Sequence, residues 1–557
     1  MGVVARRIGA DGDRAGDLRR ALALSLTLLA AYSLVYSGDN LGCGDEIVRY
    51  LMTDNLAQGR GFRAEYLDLD GRRNVYWGQA VPKYGFLHPL LAAPFRLLSR
   101  APSDPREFGE GDLTMLYEVP AHRRALVFTL WFSPVVATLL CLVFYQCGRR
   151  LGFAGRECLL PTFLLGLCTI VFAYTPLFFT ETLTGLLLTA AFCATLERRP
   201  RDAVLCGVLS GLLPCNNAMF LFAPAVLLLA GAMGAGRRGR LLFALRFAFG
   251  LLPGFAFLAF QFVSRGGFGY STELSFITPL AVGLFGNLLS PGKSVFVFSP
   301  VALLGIAGFV SLFRSHRRPA VLAALLVVIP LLAYSKWSNW AGCTCWGPRF
   351  LLPVIPLVML GAFPVLAGLR KRGAVARSLT VGLVLVSLAV QLSATLVAPY
   401  AWFHHASERL GIRMSENRYA VRGVENSLLL FQNAVPYFPE YCPPYLQMKA
   451  LGALVGAGRF DGMTPAWIRR GRFGWGAVGL LVFGGGLLLL ARVDRRQAGR
   501  EDGAPGAETS PWEADPASPG IRDSDGRQRS CSAEAPRANP RANDGPSREK
   551  DDAADRR

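Results

Sequence analysis

Charge is scarce in this chain. Asp, Glu, Lys and Arg make up 18% of its 557 residues, and histidine occurs five times. A soluble chain of this length carries more charge and shorter apolar runs, so a wholly aqueous fold is excluded. The apolar runs hold almost no central charge, and no repeat relates the two halves. Both features argue against a transporter or lipid flippase, the main alternative for a polytopic chain. No Cys/His spacing of a zinc site is present, so neither a metal nor another cofactor is expected. Gly292-Lys293-Ser294 lacks the leading glycine of a phosphate-binding P-loop. No small-residue cleavage pattern follows Ala21 to Ser37, which reads as an uncleaved first span. Net charge is +20, yet the arginines lie in short loops rather than on one basic face, so no nucleic acid is expected.

What is there in quantity is apolar sequence: 52% of residues, with a mean hydropathy of +0.33. Runs of roughly 17–25 apolar residues read as transmembrane helices. They fall at 21–37, 125–146, 158–178, 182–196, 203–216, 217–234, 241–263, 296–313, 319–335, 350–369, 378–398 and 475–491. Every second connection is Arg-rich: Arg149, Arg150 and Arg156, then Arg198, Arg199 and Arg201, and so on to Arg492, Arg495 and Arg496. The expectation is an all-α polytopic protein of about twelve transmembrane helices in the cell membrane, with residues 1–20 and 492–557 cytoplasmic. The tail lacks an apolar period and is expected to be disordered.

The remaining connections are then external: 38–124, turns near 179–181 and 214–217, and loops 264–295, 336–349 and 399–474. Ile47, Val48, Tyr50, Leu51, Met52 and Leu56 give the first of these a near-helical period. Tyr84 to Leu98 is apolar but short, with His88 and Arg96 in it, and is expected to lie in the interface. Of the twelve cysteines, Cys43, Cys343, Cys345 and Cys442 fall in external loops and could pair in an oxidising compartment.

Candidate chemistry collects on that external face. Asp45, in Gly44-Asp45-Glu46, opens the first-loop helix. It reads as an N-cap, as a general base kept ionised by the helix end, or as both. Glu46 is its partner or a first-turn surface residue. Lys83 sits at headgroup depth, either gripping a lipid phosphate or snorkelling. Tyr84 and His88 follow it, and His88 reads as substrate-binding or structural. Glu181 places a carboxylate at an outer span end, where it requires solvation or a partner. Lys293 stands before the eighth span. Trp337, Trp340 and Trp346 crowd one short loop with Lys336 and Arg349. Membrane-belt aromatics are ordinary, but aromatic planes also suit sugar rings, and a guanidinium suits phosphate.

On Gly44-Asp45-Glu46, Gly59-Arg60-Gly61-Phe62, Lys83-Tyr84-Gly85 with His88-Pro89-Leu90, Thr180-Glu181, Ser290-Pro291-Gly292-Lys293 and Trp346-Gly347-Pro348-Arg349-Phe350, the chain resembles the GT-C superfamily of membrane glycosyltransferases. It is most similar to the branch of protein O-mannosyltransferases and the lipid A aminoarabinose transferase. The resemblance covers most of residues 20–400. It implies a GT-C-like domain over 21–398 whose catalytic loop is 38–124. It further implies a polyprenyl-phosphate-linked sugar as donor, a lipid, glycan or protein acceptor, and inversion at the anomeric carbon. Asp45 would act as base, with Glu46 beside it. Lys83, Arg349 and Lys293 would hold the donor phosphate, and Tyr84, His88, Glu181, Trp340 and Trp346 would line the substrate. Two departures stand out: 399–474 carries no recognisable soluble domain, and Cys343 and Cys345 interrupt the glycine-rich stretch expected before Trp346. A non-catalytic assembly subunit is the third reading, and it predicts that Asp45 tolerates replacement.

Overall fold

Small residues let two apolar helices of this chain touch backbone to backbone. A Cβ at Gly207 would lie 2.2 Å from the Phe247 carbonyl oxygen, and one at Gly250 would lie 2.2 Å from that of Val204. With Gly211 and Gly254 one turn further on, this is the small-residue seam by which helices associate in lipid. The opposite surface of the second helix is open and apolar: Phe249 is 67% and Val263 78% exposed, as acyl chains would require.

In the computed structural model the described residues are 2–38, 40–41, 44–67, 73–75, 81–82, 84–99, 117–118, 123–196, 200–232, 237–266, 275–342, 345–397, 402, 406, 436–459 and 463–501. Met1–Gly499 forms one compact unit and Arg500–Arg557 a second, of which 500 and 501 alone are described. The tail expected to be disordered therefore lies mostly outside the described residues, as do Cys43, Lys83 and Cys343.

The helices run α1 (Gly2–Leu34), α2 (Gly44–Ala57), α3 (Leu87–Leu98), α4 (Arg123–Leu130), α5 (Phe132–Arg150), α6 (Gly155–Cys168), α7 (Ile170–Ala173), α8 (Thr180–Leu196), α9 (Pro200–Asn216), α10 (Ala223–Ala232) and α11 (Arg237–Arg265). They continue as α12 (Leu280–Leu288), α13 (Val295–Phe298), α14 (Ala302–Ser315), α15 (Arg317–Lys336), α16 (Ile355–Val358), α17 (Ala362–Ala367), α18 (Ala374–Leu396), α19 (Pro443–Gly456), α20 (Ala466–Arg469) and α21 (Phe473–Glu501). Where their residues are described, the expected runs overlap these helices. Among the described residues, six helical stretches are long and apolar enough to cross a membrane: Arg124–Arg150, Arg238–Arg265, Arg317–Lys336, Arg349–Ala367, Ala374–Leu396 and Phe473–Asp494.

Two of the other runs are broken rather than continuous, and the breaks meet. Thr169 is extended between α6 and α7, and Ser299 interrupts α13 and α14. The Ile170 N–H donates to Ser299 Oγ at 2.9 Å, and the Val301 N–H donates to Ser387 Oγ at 2.9 Å. Hydroxyls thus satisfy backbone groups that the breaks release, which a lipid-embedded chain must do internally.

Where it is described, the first long loop carries the helices α2 and α3, as expected. Ile47 through Asn55 of α2 are all buried. Arg96 of α3 locks α2 in place, its Nε donating to Asp54 Oδ1 at 2.6 Å with both side chains about 5% exposed. Two small antiparallel ladders add to it: β1 (Asn40–Leu41) with β4 (Tyr117–Glu118), and β2 (Glu65–Leu67) with β3 (Arg73–Val75). At twelve residues, α3 is about 18 Å long, too short to cross. Elsewhere, Asp17 pairs with Arg149 at 2.9 Å and Arg20 with Asp494 at 3.1 Å. Three segments that arginine alternation assigns to one side therefore share one end of the unit.

Candidate active site

Asp45 and Arg49 lie one helical turn apart on α2, so their side chains share a face. Arg49 Nη1 donates to the Asp45 carbonyl at 3.0 Å. Its guanidinium lies over the Tyr84 ring at 4.5 Å and the Phe179 ring at 5.4 Å. Although Arg49 is 3% exposed, its Nε has no acceptor. A buried donor on a cation is costly to leave unmet, and its place beside Asp45 makes it the natural grip for an anionic ligand.

The Asp45 carboxylate takes one hydrogen bond on each oxygen. Tyr84 donates its hydroxyl to Oδ1, and Arg349 Nη1 donates to Oδ2 at 2.9 Å. Arg349 Nε also lies 3.8 Å from Glu181 Oε1, so one guanidinium joins both acids. Burial by itself pushes the Asp45 carboxyl up. The Arg349 charge, then the Arg49 charge, with the bonds from Tyr84 and Arg349, outweigh it and hold the group at about 2. The side chain remains 17% exposed, open to a ligand yet ionised throughout the physiological range.

A stiff loop aims Arg349. Lys293 Nζ donates to the Cys345 carbonyl at 2.6 Å and the Gly347 carbonyl at 3.4 Å, and the Tyr174 hydroxyl donates to the Trp346 carbonyl at 2.9 Å. Gly347 turns with φ of +57°, and a Cβ there would meet Phe298 at 2.7 Å, so this turn requires glycine. Lys293, 2% exposed, thus braces the loop that carries Arg349. Trp346 is 1% and Trp340 4% exposed; the first packs edge-on to Phe298, and the second closes over Gly286 of α12.

Glu46 is fully buried and accepts the Phe178 N–H at 2.6 Å, fixing the turn before α8. His88 is buried between Phe132 and Phe178, at 5.0 and 4.5 Å. Burial, then the Arg49 charge, pushes its imidazole well below the ordinary range, so the ring is neutral, and its Nδ1 has no partner. Glu181, Tyr84, Asp45 and Arg349 are therefore brought together; Lys293, Trp340 and Trp346 support the loop; Lys83 lies outside the described residues. Arg49 is the residue that sequence reasoning missed, and its spacing of four from Asp45 on a helical period was the available signal. Arg265 is a second omission. It ends α11, donates to the Tyr84 carbonyl, and lies 4.4 Å over Phe86. Among the described residues, no group of three metal-ligating side chains converges. Cys442 is a free thiol whose Sγ lies 3.1 Å from the Pro291 carbonyl oxygen.

No family model matches this chain, and no curated protein does. Solved structures are similar to it. ArnT from Cupriavidus metallidurans bound to undecaprenyl phosphate is 14% identical, with a TM-score of 0.45 over 86% of this chain and 77% of that one. The apo oligosaccharyltransferase from Archaeoglobus fulgidus is 11% identical, with a TM-score of 0.44, over 72% and 60% respectively. Likeness this loose carries no argument about chemistry, which rests on the side chains.

Proposed function

We propose that the chain is a membrane glycosyltransferase that moves a sugar from a polyprenyl-phosphate-linked donor to a hydroxyl of an envelope acceptor on the external face, with inversion. The observation that carries this reading is an ionised, partly open carboxylate, Asp45, set between the two guanidiniums of Arg49 and Arg349. The acceptor O–H gives its proton to Asp45 as its oxygen attacks the anomeric carbon. The bond from that carbon to the phosphate oxygen breaks, and the electron pair leaves with the phosphate, whose charge the arginines offset. The low pKa keeps Asp45 unprotonated, and the acceptor hydroxyl becomes strongly acidic as its oxygen bonds to the anomeric carbon, so even a weak base takes the proton late in the step. Glu181 keeps Arg349 oriented, and Lys83 is expected to join the phosphate-binding set.

The test is sugar transfer from radiolabelled polyprenyl-phosphate donors to envelope acceptors by purified protein and by Asp45→Asn. Loss of about 10²-fold or more in kcat, with unchanged folding, supports the reading. Undiminished transfer removes Asp45 from the mechanism.

A further inference from the structure

The tryptophans singled out in the sequence as sugar platforms are both sealed inside the protein, at 4% and 1% exposure for Trp340 and Trp346. The third member of the same loop, Trp337, is half-buried and partly open. Its ring lies 4.9 Å from that of Phe350, which also stacks on Tyr334 at 4.9 Å and carries the Arg349 guanidinium 4.7 Å over its face. Arg349 in turn holds Asp45 at 2.9 Å. One aromatic side chain thus separates Trp337 from the guanidinium bound to the carboxylate.

Trp337 is also held in place. The Thr278 N–H donates to the Lys336 carbonyl at 3.1 Å, the Thr278 hydroxyl to the Trp337 carbonyl at 2.8 Å, and the Ser338 N–H to the Ser275 carbonyl at 2.8 Å. Behind it, Gly342 brings the loop so close to Arg349 that a Cβ there would meet the Arg349 side chain at 3.2 Å. A partly exposed indole on a backbone held this way, packed against Phe350 and Tyr334 beside a charged cluster, is a surface for a ligand that is polar at its rim and has a C–H face. The electron-rich ring face attracts such polarised C–H groups.

Resting on the proposed function above, we infer that Trp337 is a pyranose-stacking residue of the site, taking the C–H face of a sugar ring carried by the donor or by the acceptor.

The experiment uses the full chain in nanodiscs, with Trp337→Ala and Trp337→Phe as variants. Binding of bare undecaprenyl phosphate is compared with binding of undecaprenyl-phosphate hexoses and pentoses. Saturation-transfer NMR of methyl pyranosides is recorded with undecaprenyl phosphate bound. If the donor supplies the ring, Trp337→Ala binds the preferred glycolipid about tenfold more weakly and bare undecaprenyl phosphate equally well. If the acceptor supplies it, glycolipid binding is unchanged, and saturation transfer to the ring C–H protons disappears. Trp337→Phe restores most of either effect. Equal weakening of bare and glycosylated lipid, or no change in either measurement, overturns the inference. Wild-type protein that does not bind undecaprenyl phosphate at all counts against the proposed function instead.

Discussion

Replacing Arg349 by Gln should convert Asp45 from a group that never titrates in practice into one that does. Arg349 is the strongest of the influences that lower this carboxyl, opposing burial, which raises it. Without that charge and its hydrogen bond, burial is balanced only by Arg49 and Tyr84, so the pKa rises from about 2 toward or above the ordinary carboxylate range. The sign for stability follows. In the wild type the folded pKa is depressed, so the stabilisation is fully present above the unfolded value of about 3.9 and is lost only as pH falls through about 2. That contribution is on the order of 2 kcal/mol at neutral pH and disappears in the variant. The assay is kcat/KM for sugar transfer against pH, with thermal unfolding measured in parallel. Wild-type activity should show no acid limb from Asp45 above pH 4, whereas Arg349→Gln should show one between about pH 4 and 6. Its transfer above that limb should also be about 10²–10³-fold lower. An acid limb identical in the two proteins would refute the claim that Arg349 governs this carboxylate.

Arg49→Gln should weaken binding of undecaprenyl phosphate by roughly 10- to 100-fold while leaving the uncharged polyprenol unaffected, measured by thermal shift in nanodiscs. Glu46→Gln leaves the Phe178 N–H with a neutral acceptor and should lower stability by about 1 kcal/mol, with a smaller loss of transfer than Asp45→Asn. Gly85→Ala would put a Cβ 2.4 Å from the Cys215 carbonyl oxygen and 2.6 Å from that of Asn216. Neither backbone atom gives way cheaply, so α3 should part from α9; melting of the purified variant should fall, and Tyr84 should lose its hold on Asp45.

The apolar runs were legible because lipid imposes a length and a polarity that sequence shows directly. Where they break was not: Thr169 and Ser299 stop helices inside apolar runs because partner hydroxyls across the fold satisfy the released backbone groups, a tertiary fact. The acid in the first long loop and the arginine after Gly347-Pro348 could be named from the sequence alone. Their meeting, across 304 residues, could not. Arg49 was within reach, four residues after Asp45 on a periodic helix. Among the loop tryptophans, residue type suits a sugar, whereas burial, which closes off Trp340 and Trp346, decides which ring a sugar can reach.

The central claim is that Asp45 works between two arginines that grip a lipid phosphate. Cryo-electron microscopy of the protein in nanodiscs with undecaprenyl phosphate tests it most directly. The account predicts phosphate density within about 3 Å of the Arg49 guanidinium and beside Arg349. Phosphate bound at another end of the molecule, with Arg49 and Arg349 unchanged around Asp45, would contradict it.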